Sequence, residues 1–139
     1  VKFLINSTEP QNVILSYESE TAFPGTGHEY ILYDQSSQNL HFFRHDLNNN
    51  GYKHLNDPES LDLLDTLDDT DIWNITRIQG PIPLDAIIST LVLLENGQGH
   101  EIIWSPNANN TSYSKILDDA SIIINKIKHI CDCTDPRTK

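Results

Sequence analysis

The sequence predicts an α+β fold in which two helices pack on an antiparallel sheet of four to five strands, in the order β-β-β-α-β-β-α. Three observations carry that expectation. Apolar residues alternate over Asn12–Ser19. The Asn96-Gly97 dipeptide separates two β-rich runs. Helix-spaced apolar stripes close each half of the chain.

Taken in order, Val13, Leu15 and Tyr17 line one face of a first strand, Asn12–Ser19. Phe23-Pro24-Gly25-Thr26-Gly27 breaks it, because Pro removes a donor and Gly permits positive φ. Tyr30–Tyr33 and Leu40–Arg44 form the next two strands, joined as a hairpin through the polar Asp34–Gln38 stretch. Asn48-Asn49-Asn50-Gly51 reads as a turn. A helix follows, capped by Asp57 with Pro58 in its first position and with Leu61, Leu64 and Leu67 as the buried stripe. Asp65, Asp68 and Asp69 oppose its dipole, so it should last about three turns and end by Thr70.

Gly80-Pro81-Ile82-Pro83 is an extended connector. The nearly unbroken apolar run Ala86–Leu94 fits a central strand. Asn96-Gly97 suits a type I′ turn, and Glu101–Trp104 returns. Thr111 or Ser112 caps a last helix with Ile116, Leu117, Ala120, Ile123, Ile124 and Ile127 on its buried face. A strand over Val1–Ile5 is a further possibility.

The 139 residues suit a single domain with its core over 12–130 and a polar tail over 131–139. Asp and Glu number 20 against 9 Lys and Arg, a formal net charge of -11. Such an excess disfavours nucleic acid and anionic lipid, which bind basic patches. No run is long and apolar enough to span a bilayer, no leader is recognisable, and two reduced cysteines suit the cytoplasm, as a monomer or weak dimer. The sequons at Asn6, Asn74, Asn109 and Asn110 carry little weight, since 13 Asn among 21 Ser and Thr yield about two by chance.

Chemistry-bearing patterns are thin. Asp46–Asp57 has the calcium-loop spacing, yet Asn replaces two acids, Lys53 intrudes, and a strand precedes it where a helix is expected. His41 and His45 lie too far apart on a strand for a metallopeptidase pair, and Cys131, Cys133 and His129 supply one ligand too few for structural zinc. No nucleophile elbow or phosphate cradle is present. The expectation is a non-enzymatic binding protein with no cofactor and no metal.

Several features together resemble the emfourin family, small protein inhibitors of protealysin and related thermolysin-type metallopeptidases. They are Ile14–Glu18 with the loop Phe23–Gly27 and Tyr30–Tyr33; the helix with Leu61, Leu64 and Leu67; Thr90-Leu91, Asn96-Gly97, His100 and Trp104-Ser105; and a final amphipathic helix. The family's Ser-Gly-Gly-Phe is replaced here by Phe23-Pro24-Gly25-Thr26-Gly27, and residues 1–11, the Asn-rich stretch and the Cys-containing tail fall outside its pattern. The resemblance implies a peptidase partner bound without turnover. A stiff loop loses little entropy on docking, so the expected partner-binding residues are Phe23, Pro24, Gly25, Thr26, Gly27 and His28, with Pro106–Asn110 second. An immunity-type partner protein and a calcium-dependent interaction module are the alternatives.

Overall fold

The computed structural model describes residues 12–20, 28–44, 49–84, 86–106 and 108–131. Among them the chain forms β1 (Val13–Glu20), β2 (His28–Asp34), β3 (Asn39–Arg44), β4 (Asn49–His54), α1 (Asp57–Asp68), β5 (Arg77–Gln79), β6 (Ile88–Glu95), β7 (Gln98–Trp104) and α2 (Ser114–Cys131). The α+β class is as expected. The sheet is larger: seven strands in the order β4-β3-β2-β1-β6-β7-β5, antiparallel except where β5 runs parallel to β7.

The two added strands have separate causes. β4 occupies the stretch read as an Asn-Gly turn, and pairs Asn50 with Phe43 and Gly51 with Phe42. Glycine is needed there for close approach, since a Cβ on Gly51 would lie 2.0 Å from the tip of the Phe42 ring. Residues 49–54 are extended and paired with β3, whereas the calcium-loop spacing supposes a loop there. Asp46 to Asn48 lie outside the described residues. β5 is three residues long and polar at both ends, too short for periodicity to reveal.

Every second residue of the sheet points into one core. Val13, Leu15 and Tyr17 of β1, Ile31 and Tyr33 of β2, Leu91 and Leu93 of β6 and Ile102 of β7 are buried there. They join Leu63 and Leu67 of α1 and Ala120, Ile123, Ile124, Ile127 and Ile130 of α2 in one apolar cluster. Both helices therefore lie on the same side of the sheet.

The stripe of α1 differs from Leu61, Leu64 and Leu67. Leu63 and Leu67 are buried with Ser60 and Thr66, Leu64 is half-buried, and Leu61 is 59% exposed. A spacing of three drifts off the 3.6-residue turn, whereas 60, 63 and 67 stay on one side. The cap is Asn56, one residue earlier than Asp57. Its Oδ1 accepts from Glu59 N at 2.8 Å while the Glu59 carboxylate accepts from Asn56 N at 3.1 Å, a reciprocal capping box. Asp57 instead accepts from the Gln38 side chain. At the other end of the chain, Thr111–Tyr113 form a 3-10 turn and α2 begins at Ser114, so the expected cap at Thr111 or Ser112 is displaced into that turn.

The Asn96-Gly97 hairpin is as expected, with φ of 50° and 85° at its two central residues. Lys53 anchors the edge strand. From the helix-side face of β4 its ammonium donates to the Ile130 carbonyl at 2.7 Å and to Glu59 at 2.9 Å, tying β4 to the end of α2 and the start of α1. A basic group at unpaired helix carbonyls is favoured by their partial negative charge. The Lys53 hydrogen bond, followed by the Asn56 N–H, holds the Glu59 carboxyl below its ordinary value.

Tyr33 is fully buried, and its hydroxyl bonds the Ser60 hydroxyl of α1. Burial raises the Tyr33 pKa, against a smaller downward pull from that bond. Because the folded value exceeds the unfolded one, this contribution is complete below about pH 10 and is lost as pH rises further. Tyr33→Phe should cost about 1 kcal/mol near neutrality, by leaving Ser60 unsatisfied. It should also flatten the alkaline decline relative to the parent. Thermal melts at pH 7 and above about pH 10 check both.

Candidate functional site: the uncovered face of the sheet

The residues of β1 that alternate with its core positions are Ile14, Ser16 and Glu18, half-buried on the side away from the helices. Strand register surrounds them. Ser16 lies between Leu32 of β2 and Val92 of β6, Glu18 between Tyr30 and Thr90, and Ile14 between Asp34 and Leu94. One strand further out, His41 stands beside Leu32, Phe43 beside Tyr30, and Ile103 beside Thr90. The face thus mixes aliphatic and aromatic side chains with the polar Ser16 and Thr90 and the charged Glu18, Asp34, Arg77 and Glu101. Tyr52, Ile88 and Leu94 are 64%, 41% and 37% exposed. Six interstrand gaps of about 4.8 Å make this surface roughly 29 Å wide, the scale of a standard protein–protein contact.

Its polar groups are mostly committed. Arg77 Nε donates to Glu101 at 2.8 Å. Asp34 accepts from the amide and the hydroxyl of Ser36, at 3.0 and 2.8 Å. His54 bonds Asn39 at 2.9 Å, and the His41 ring meets Tyr52 edge-on at 5.8 Å. Glu18 is different, as is the exposed Glu20 at the end of the strand: among the described residues neither carboxylate has a hydrogen bond or an ion pair.

On the helix side, polar groups serve the fold. His100 is buried, and its Nδ1 lies 2.6 Å from the Ile75 carbonyl. A carbonyl only accepts, so Nδ1 donates, while Nε2 has no partner among the described residues. The Trp73 ring meets His100 edge-on at 5.3 Å and donates its Nε1–H to Asp68 at 3.1 Å. Burial raises the Asp68 pKa, and that hydrogen bond moderates the rise. Asp119 accepts from the Asp71 amide, and Lys115 bridges Asp71 and Asp119. Among the described residues no three His, Cys, Asp or Glu side chains converge as ligands for a metal ion. No helix among them is long and apolar enough to cross a membrane.

The expected partner-binding segment is only framed. Phe23, Pro24, Gly25, Thr26 and Gly27 lie outside the described residues, and His28 opens β2 opposite Glu20. Glu20 also pairs with Ile88, so the segment departs from the end of the sheet where that exposed side chain sits. In the second expected loop, Asn110 Nδ2 donates to the carbonyls of Ser105 and Ala108, and Asn109 accepts from the Thr111 amide. That loop is folded upon itself. The uncovered face was not anticipated, although the run Ala86–Leu94 holds its signal. An exposed strand of an antiparallel sheet is usually polar on its outer side, whereas Ile88, Val92 and Leu94 are apolar. Compared with known protein families and with curated proteins, the sequence matches none.

Proposed function

We propose that this chain is a non-enzymatic domain that binds another protein, with a thermolysin-type metallopeptidase as the partner to test first. The observation that carries the binding reading is the mixed face opposite the helices, on which Tyr52, Ile88 and Leu94 are exposed and Ile14, Leu32, Val92 and Ile103 are half-buried. Apolar side chains gathered on one exposed face, with polar residues among and around them, mark contact surfaces. The interior polar groups of Tyr33, Trp73 and His100 are engaged in bonds that hold helices and strands together, which leaves binding as the economical use of the surface. The choice of peptidase comes from the emfourin resemblance, with Phe23 to His28 as the segment nominated for the contact.

Titrating the protein into a thermolysin-like peptidase tests the reading. Activity should fall in proportion to inhibitor added until the two are equimolar. Full activity at a large molar excess contradicts the peptidase assignment. An immunity-type role is favoured over it by one feature: the unpaired Glu18 on a chain of net charge -11 suits a basic partner.

A further inference from the structure

We propose that the sheet face left uncovered among the described residues docks a partner surface that is apolar around a single Arg or Lys, and that this cation seats on Glu18. The proposal rests on the protein-binding reading and specifies its surface and chemistry. Glu18 stands near the middle of the sheet, on β1, with Tyr30 and Thr90 as its cross-strand neighbours. Among the described residues nothing neutralises it. Water solvates the carboxylate while the face is open. A covering surface removes that water, and a buried carboxylate without a counter-ion is strongly unfavourable.

That requirement selects the occupant. A wholly apolar partner strands the charge. A second copy of this chain brings another Glu18 and another net charge of -11 to the same contact. An incoming guanidinium or ammonium pairs with Glu18 and lies within reach of the Tyr30 ring beside it, which adds a cation–π contact. Leu32 and Val92 flank the next position along β1 and supply the apolar surround that excludes water from the pair.

The test uses the whole chain and a synthetic helical peptide whose Leu-rich face carries one central Arg, followed by NMR. Signals of Tyr30, Leu32, Thr90 and Val92 should shift on titration. Glu18→Lys should weaken binding at least about tenfold, and Glu18→Gln less, while Asp118→Lys on the exposed side of α2, an equal change in net charge, leaves it nearly unchanged. An analogue with Glu in place of that Arg should not bind. The proposal is overturned if the shifts map to α1 or α2, if Asp118→Lys weakens binding as much as Glu18→Lys, if both peptides bind alike, or if neither binds at millimolar concentration. Thermal melts confirm that each variant is folded, and Glu18→Gln carries the test if Glu18→Lys is not. A peptidase that escapes inhibition while the Arg peptide still docks defeats only the peptidase assignment. A peptidase inhibited equally by the parent and Glu18→Lys defeats only the docking proposal.

Discussion

Leu63→Ala should destabilise the protein by about 2–5 kcal/mol, the range for truncating a buried leucine. Leu61→Ala, two residues away on the same helix, should change stability by no more than about 0.5 kcal/mol. Leu63 is fully buried in the cluster shared by the sheet and both helices, whereas Leu61 is 59% exposed. The two substitutions delete the same atoms from the same α1 helix, so propensity cancels and the difference reports which face is buried. In a chain of this size a loss of about 3 kcal/mol lowers the melting temperature by roughly 10 °C. Equal shifts for both variants would mean that α1 is rotated from the orientation described.

Gly51→Ala should cost about 1–3 kcal/mol although it adds one methyl group to an edge strand. The new Cβ would lie 2.0, 2.4 and 2.6 Å from three atoms of the Phe42 ring. Those atoms are the far end of a side chain, so the ring swings aside and gives up its packing against the core. The same change in a Phe42→Ala background should be nearly neutral or slightly stabilising, because alanine is less costly than glycine in a strand. A double-mutant cycle by urea denaturation measures the coupling. Equal costs in both backgrounds would show that the ring does not occupy the space over Gly51.

These two sites also mark where the sequence was legible and where it was not. β1 was readable because Val13, Leu15 and Tyr17 alternate with more polar residues. The β6–β7 hairpin was readable because both residues of Asn96-Gly97 tolerate the positive φ that its turn demands. β4 was not, because Asn49-Asn50-Gly51 has turn chemistry locally. Its glycine answers instead to Phe42, a contact visible only once β3 and β4 are paired. The buried face of α1 is ambiguous in the sequence because leucines occupy both candidate stripes. Ser60 and Thr66, polar in sequence, fall on the buried one, and each finds a partner: Ser60 bonds Tyr33, and Thr66 donates to the Asp62 carbonyl at 2.9 Å.

The candidate site was legible in composition and not in consequence. The run Ala86–Leu94 fits a central strand in sequence, and the structure places Ile88, Val92 and Leu94 on its outer side. That this side faces away from both α1 and α2 is encoded in no single segment. Glu18 likewise looks like an ordinary solvent-facing acid until Tyr30, Leu32, Thr90 and Val92 are set around it by register.

Among the described residues nothing packs on the second face of this sheet. Methyl NMR in the presence of a soluble paramagnetic agent tests this directly. Methyl groups of Ile14, Leu32, Val92 and Ile103 should relax strongly, while those of Leu15, Leu91, Leu93 and Ile102, buried beneath the helices, should change little. Protection of the first set equal to that of the second would contradict the account, since the face would then already be covered in the free protein.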